Sequence, residues 1–256
     1  MLILIGLGLF DERDVTLRGM EEAKKADRVY IELYTSKWHG DLKKLEKLID
    51  KEIEVLTRKD LEENSEKIIE QAKNQSVAVF VQGDALVQTT HTSLIQEAKK
   101  LRIETKIIHN ASIISAVGET GLHSQKFGSY VTIPFSEKTK GKLPESIYEI
   151  IKMNKSKGLH TLCLLDVVAE ENKYMSVNEA MKILLAIEEK RKERVFTKET
   201  EVVVFARAGN DEKKIIYGKV GSLLEKDFGE PPAVLIITGL LHFTEKETLS
   251  LLYSEE

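Results

Sequence analysis

The stretch "VFVQGDALVQTTHTSL", residues 79–94, changes character at its middle: an apolar run stops at Gly83, an acid follows at Asp84, and Thr89-Thr90-His91 opens a helical pattern. An apolar run that stops at Gly-Asp reads as a strand, and the strand-helix alternation around it favours a parallel sheet. Asp84 then stands at the carboxyl end of that strand, where open α/β sheets bind ligands. Capping is the competing role, because Asp84 or Thr89 offers a short polar side chain to the free amides of the next helix. The stretch lacks the glycines and lysine of a phosphate loop. Ala85, Leu86 and Val87 instead give an apolar surface beside one acceptor, which suits a ligand carrying an amine.

Outward from this stretch, strand-like and helix-like runs alternate. "LILIGL" (2–7) precedes a helical pattern near 16–26, and "RVYIEL" (28–33) and "EIEVL" (52–56) precede a Lys/Glu-rich helix near 61–73. "SVAVFVQ" (76–82), a helix near 89–100 and "IETKIIH" (103–109) complete a pattern that favours a mostly parallel sheet. The second half differs. It reads as "SYVTIPF" (129–135), a helix near 145–156, "HTLCLLDV" (160–167), a long helix near 176–193, "EVVVFARA" (201–208), "KIIYGKV" (214–220), a short helix and "AVLIITG" (233–239). Gly209-Asn210-Asp211 between two strands is a hairpin signal and implies antiparallel pairing. The expectation is two unlike α/β domains, 1–110 with a mostly parallel sheet and 111–256 with a mixed one. The Lys-rich loop at 136–143 is a rival boundary.

The chain has 256 residues, 42% hydrophobic and 31% charged, enough for two cores. A net charge of -4 gives no general pull toward nucleic acid or an anionic membrane. Cys163 is the only cysteine, so neither an internal disulfide nor a Cys-based zinc site can form, which fits a cytoplasmic setting. "MLILIGLGLF" has no basic region before it and reads as a first strand rather than a signal peptide.

Three further features bear on chemistry. "IGLGLFDERDVT" (5–16) carries a Gly-x-Gly after a strand, but Asp11 stands where a dinucleotide fingerprint has its third glycine, and its charge would repel a pyrophosphate. "HNASIISAVGETG" (109–121) makes Ala111-Ser112 a helix start whose amides could meet a carboxylate or an adenine edge, with plain capping as the alternative. The six histidines show no ligand spacing, which disfavours a metal site, and no Ser-His-Asp pattern stands out.

Taken together, "IGLGLFDERDVTLRGMEEAKKAD", "GDALVQTTH", "SIISAVGETGLHSQKFG", "GLHTLCLLD", "YMSVNEAM", "VVVFARAG" and "DFGEPPAVLIITGLLH" resemble, in order and over nearly the whole chain, the motifs of the diphthine synthase family within the tetrapyrrole methylase superfamily. The resemblance implies two α/β domains with S-adenosyl-L-methionine in the cleft between them, and S-adenosyl-L-homocysteine as product. It implies successive methylation of the amino group of a 3-amino-3-carboxypropyl chain on a histidine of translation elongation factor 2, giving diphthine in diphthamide biosynthesis; archaeal members stop at the amine. Family members are typically homodimers. The donor-binding positions carried over are Leu9, Asp84, Val87, Ser112, Ile113, Leu165, Ala208 and Ala233. Many members have Gly-Asp-Pro where this chain has Gly83-Asp84-Ala85, so a looser loop with the acid retained is expected.

Asp84 is thus read as an acceptor for a polar hydrogen of the donor. Catalytic side chains are unassigned, and Lys126 and Arg207 are the guesses for a cation facing the acceptor's carboxylate. The competing readings are a precorrin-type tetrapyrrole methylase, an S-adenosylmethionine-binding protein without turnover, and a plain nucleotide-binding module.

Overall fold

The computed structural model describes residues 1–253. By its contacts the chain divides into Met1–Ala116 and Val117–Glu256. In the first unit, β1 (Leu2–Gly6), β2 (Arg28–Glu32), β3 (Glu54–Leu56), β4 (Val77–Val81) and β5 (Thr105–Ile108) form a sheet of order β3-β2-β4-β1-β5. Every pairing in it is parallel. Helices α1 (Leu17–Lys25), α2 (Leu42–Ile49), α3 (Arg58–Glu62), α4 (Glu66–Asn74) and α5 (Thr92–Lys100) connect the strands, and the short α6 (Ile113–Ala116) closes the unit. All five residues of β1 and of β4 are buried, as continuous apolar runs require when both faces of a sheet are covered.

In the second unit, β6 (Val131–Ile133), β7 (Thr161–Leu165), β10 (Glu201–Ala206), β11 (Lys214–Lys219) and β12 (Ala233–Ile237) form a sheet of order β11-β10-β12-β7-β6. It is antiparallel except for β6 beside β7, so it is mixed as expected. A small hairpin of β8 (Val167–Val168) and β9 (Lys173–Tyr174), helices α7 (Glu145–Ser156), α8 (Val177–Arg191) and α9 (Val220–Leu223), and α10 (Phe243–Leu252) complete it. Met181, Leu184 and Ile187 of α8 and Ile147, Tyr148 and Ile151 of α7 share one core with Val202, Val204 and Leu235 of the sheet. The Gly209-Asn210-Asp211 turn joins β10 to antiparallel β11, as the hairpin signal predicted.

Several elements differ from the sequence reading. The helix expected near 61–73 is two helices. A capping box between Thr57 and Asp60 starts α3 early, and the chain breaks before Glu66, where the Ser65 hydroxyl donates to Glu97 at 2.9 Å. Neither Asp84 nor Thr89 caps α5: its N-cap is His91, which makes no side-chain cap bond. Helices α2 and α10 were not expected. The first is a plain amphipathic helix capped by Asp41, burying Leu45 and Ile49. The second buries a carboxylate, Glu245, which masks its periodicity.

Candidate functional site

In the first unit the carboxyl ends of three neighbouring strands are tied together. Beyond β1 and β4, Gly8 and Gly83 exchange backbone hydrogen bonds of 3.1 Å each way. Beyond β5, Asn110 Nδ2 donates to the carbonyls of Gly6 at 3.0 Å and Asp14 at 2.9 Å. The Gly-x-Gly therefore serves the packing of the chain against itself. A Cβ at Gly6 would lie 2.7 Å from both Asn110 Cβ and the Gly83 carbonyl, and one at Gly8, where φ is +88°, 2.5 Å from Asp14 Cβ.

Asp84 is the node of this arrangement. It is buried, with Oδ1 accepting from the Leu86 amide at 3.0 Å and Oδ2 from His109 Nδ1 at 2.9 Å and the Asn110 amide at 3.1 Å. Burial alone would raise its pKa. The Leu86 amide, the His109 ring and the Asn110 amide favour the charged form and hold it below the ordinary carboxylate value. So the acid joins the loop after β4 to the loop after β5 instead of capping a helix.

Five of the donor positions carried over from the family lie on these strand ends. Leu9 follows Gly8; Val87 sits in the turn after Asp84, its amide 3.3 Å from the Asp84 carbonyl; Ser112 and Ile113 open α6 beside Gly83. Leu9, Val87 and Ile113 are half-buried. Half-buried apolar side chains next to a buried ionised acid fit a ligand with a flat apolar ring and a few polar hydrogens. The amides of Ala111 and Ser112, for which a ligand contact and plain capping were both open, make local bonds: they donate to Asn110 Oδ1 at 2.7 Å and Ser115 Oγ at 3.1 Å.

In the second unit, Leu165 ends β7, Ala233 opens β12 opposite Ala206, and Ala208 lies two residues past β10, so all three stand at one edge of the mixed sheet. Arg207 builds that edge. Its backbone has φ of 54°, its amide donates to the Pro232 carbonyl at 2.8 Å, and its guanidinium donates to the carbonyls of Phe228, Glu230 and Glu212 at 3.0, 2.8 and 3.1 Å. Those bonds commit it to the fold, which corrects the guess that it faces an acceptor carboxylate. Lys126 is corrected likewise. Its ammonium sits at the other end of the sheet, donating to the Leu240 carbonyl at 2.6 Å and to buried Glu245.

The sequence reading missed the Asp84–His109 pair and the bridging role of Asn110. The available signal was the His-Asn pair at the end of the β5 run, two strands over from the Gly-Asp turn. Among the described residues no group of His, Cys, Asp or Glu is arranged to hold a metal, and no helix is long and apolar enough to cross a membrane.

The parallel sheet with glycine-pinned strand ends, followed by a mixed-sheet domain, is the architecture of a methylase class. The chain belongs to the tetrapyrrole (corrin/porphyrin) methylases, whose family model matches residues 1–224. Within that class it belongs with the diphthine synthases. It is 47% identical to the diphthine synthase of Methanococcus aeolicus over 98% of both chains, and 47% identical to that of Methanocaldococcus jannaschii, again over 98% of each. A crystal structure of a diphthine synthase superposes with a TM-score of 0.89 at 35% identity, covering 99% of this chain and 96% of that one.

Proposed function

We propose that this methyltransferase uses S-adenosylmethionine to methylate, step by step, the amino group of a 3-amino-3-carboxypropyl-histidine on translation elongation factor 2. It would act in the cytoplasm as a homodimer, with no nucleic-acid or membrane partner. The observation that carries the reading is the similarity to diphthine synthases, at 47% identity over 98% of both chains. The donor, when bound, supplies a methyl group already activated by the sulfonium charge.

What falls to the protein is positioning. Leu9, Val87 and Ile113 would pack the donor's apolar parts, and Asp84 would keep the loops that carry Val87 and Ser112 at fixed spacing while its remaining lone pairs accept a polar hydrogen. Leu165, Ala208 and Ala233, the donor positions carried over to the second unit, lie where Arg207 holds the mixed sheet in shape. Fixed placement of the reacting groups is worth several kcal/mol of barrier.

Mass spectrometry tests this: elongation factor 2 bearing the 3-amino-3-carboxypropyl group gains three methyl groups on one histidine when incubated with donor and protein. Absence of any gain, with methylation of a carboxylated tetrapyrrole instead, would favour the precorrin-type reading.

A further inference from the structure

We infer that His109 takes the proton from the acceptor amine, oriented for that purpose by Asp84. The inference rests on the amine acceptor proposed above. Asp84 is ionised and can only accept, so His109 Nδ1 must be the protonated nitrogen of the 2.9 Å contact. That fixes the tautomer. Nε2 then carries the lone pair, and it belongs to a side chain that is 68% exposed. Asp84 is the only charged group in hydrogen-bonding contact with His109 among the described residues. A buried carboxylate holding one imidazole nitrogen while the other faces outward is the arrangement by which an Asp readies a His as a base. Its location is the carboxyl end of β5, three residues before Ser112, on the loop that Asp84 joins to the Val87 turn.

The chemistry of the acceptor needs such a group. A primary amine is mostly protonated near neutral pH and has no lone pair in that state. The first and second methyl additions each leave a proton on nitrogen that must depart before the next, whereas the third yields a quaternary nitrogen with none. In each removal the N–H pair stays on nitrogen as its lone pair and the proton goes to His109 Nε2. The resulting imidazolium is balanced by the Asp84 carboxylate and returns the proton to water from its exposed side.

His109→Asn separates the role of base from that of tether, since an Asn amide can still donate to Asp84 but offers no ring nitrogen. Full-length wild type and H109N are compared on elongation factor 2 carrying the modified histidine, with donor affinity read by calorimetry. Expected is unchanged donor affinity, a loss of about a hundredfold or more in the rate of the methyl additions near pH 7, and recovery toward wild type near about pH 9, where solvent deprotonates the amine. Wild-type rates in H109N overturn the inference. So does a loss that follows donor affinity, or one that higher pH leaves in place, since either marks a structural role. If wild type itself transfers nothing at any pH, the acceptor proposed above is wrong and the inference falls with it.

Discussion

Asn110 Nδ2 donates to the Gly6 carbonyl at 3.0 Å, across from the end of β5 to the end of β1, and this bond decides what residue 6 can be. The chain passes so near that a Cβ at position 6 would press on the Gly83 carbonyl, which is backbone and cannot swing aside. Gly6→Ala is expected to cost about 1–3 kcal/mol and to weaken donor binding, because the three strand ends must spread. Urea unfolding and calorimetry check it; an unchanged midpoint would mean the ends have slack.

Asp84→Ala removes the acceptor of three hydrogen bonds in one step. Bonds to a charged group contribute more than neutral ones, so a loss of roughly 2–4 kcal/mol is expected, together with lower donor affinity. Because the folded-state pKa of Asp84 lies below its unfolded value, the stabilisation is present above the unfolded carboxylate range and fades as pH falls through it. Donor affinity that survives while stability drops would confine Asp84 to joining the loops.

At the edge of the mixed sheet, Arg207→Lys keeps the charge and loses the fork. A lysine cannot reach the carbonyls of Phe228, Glu230 and Glu212 together, so at least one loses the donor that buried Arg207 supplies. A fall in melting temperature of about 4–8 °C is expected from roughly 2 kcal/mol in a chain of this size. Equal melting temperatures would show that water replaces the guanidinium at no cost.

These residues also mark what the sequence could and could not say. Apolar runs marked β1 and β4 as strands, and the Gly209-Asn210-Asp211 turn marked antiparallel β10 and β11, because each is a local pattern with a local cause. The bonds that organise the candidate site span 25 residues from Asp84 to His109 and 104 from Asn110 to Gly6, and no periodicity records them. Lys126 and Arg207 looked available as cations because a sequence shows charge without its partners. Helix α10 was missed because its buried Glu245 reads as a surface residue.

His91 is 2% exposed, and neither ring nitrogen has a hydrogen-bond partner. Burial pushes its pKa down to about 4, so the folded chain refuses a proton that the unfolded chain takes below about 6.5. Stability is therefore expected to decline as pH falls from about 6.5 to 4, by at most about 3 kcal/mol, and to level off below. His91→Leu removes that slope and is neutral or stabilising near pH 7, since an unpaired buried polar group disappears. A variant with the wild-type slope over this window would assign the acid sensitivity to other groups.

Glu245 produces a second acid transition at lower pH. Fully buried, it accepts from the amides of His123 at 2.8 Å and His242 at 2.7 Å, from His160 Nε2 at 3.0 Å, and from the Lys126 ammonium. Burial opposes its charge, but the Lys126 ammonium, the two amides and the His160 ring outweigh burial and bring its pKa to about 2. The Gly239 amide donates to His160 Nδ1 at 2.9 Å, which forces the Nε2–H tautomer and so directs a donor at Glu245. A depressed carboxylate pKa contributes stability that is complete above about pH 5 and lost as pH falls toward 2, up to about 3 kcal/mol here. Glu245→Gln is expected to lose several kcal/mol at pH 7, about 3 by the cost of leaving a charge unpaired, and to converge on wild type as pH nears 2, where Glu245 is itself protonated. Adding Lys126→Met to that variant should recover part of the loss, because the stranded ammonium goes with it. No recovery would place the stabilisation in the His123, His160 and His242 donors rather than in the ion pair, and unfolding curves of the three proteins across pH distinguish the two.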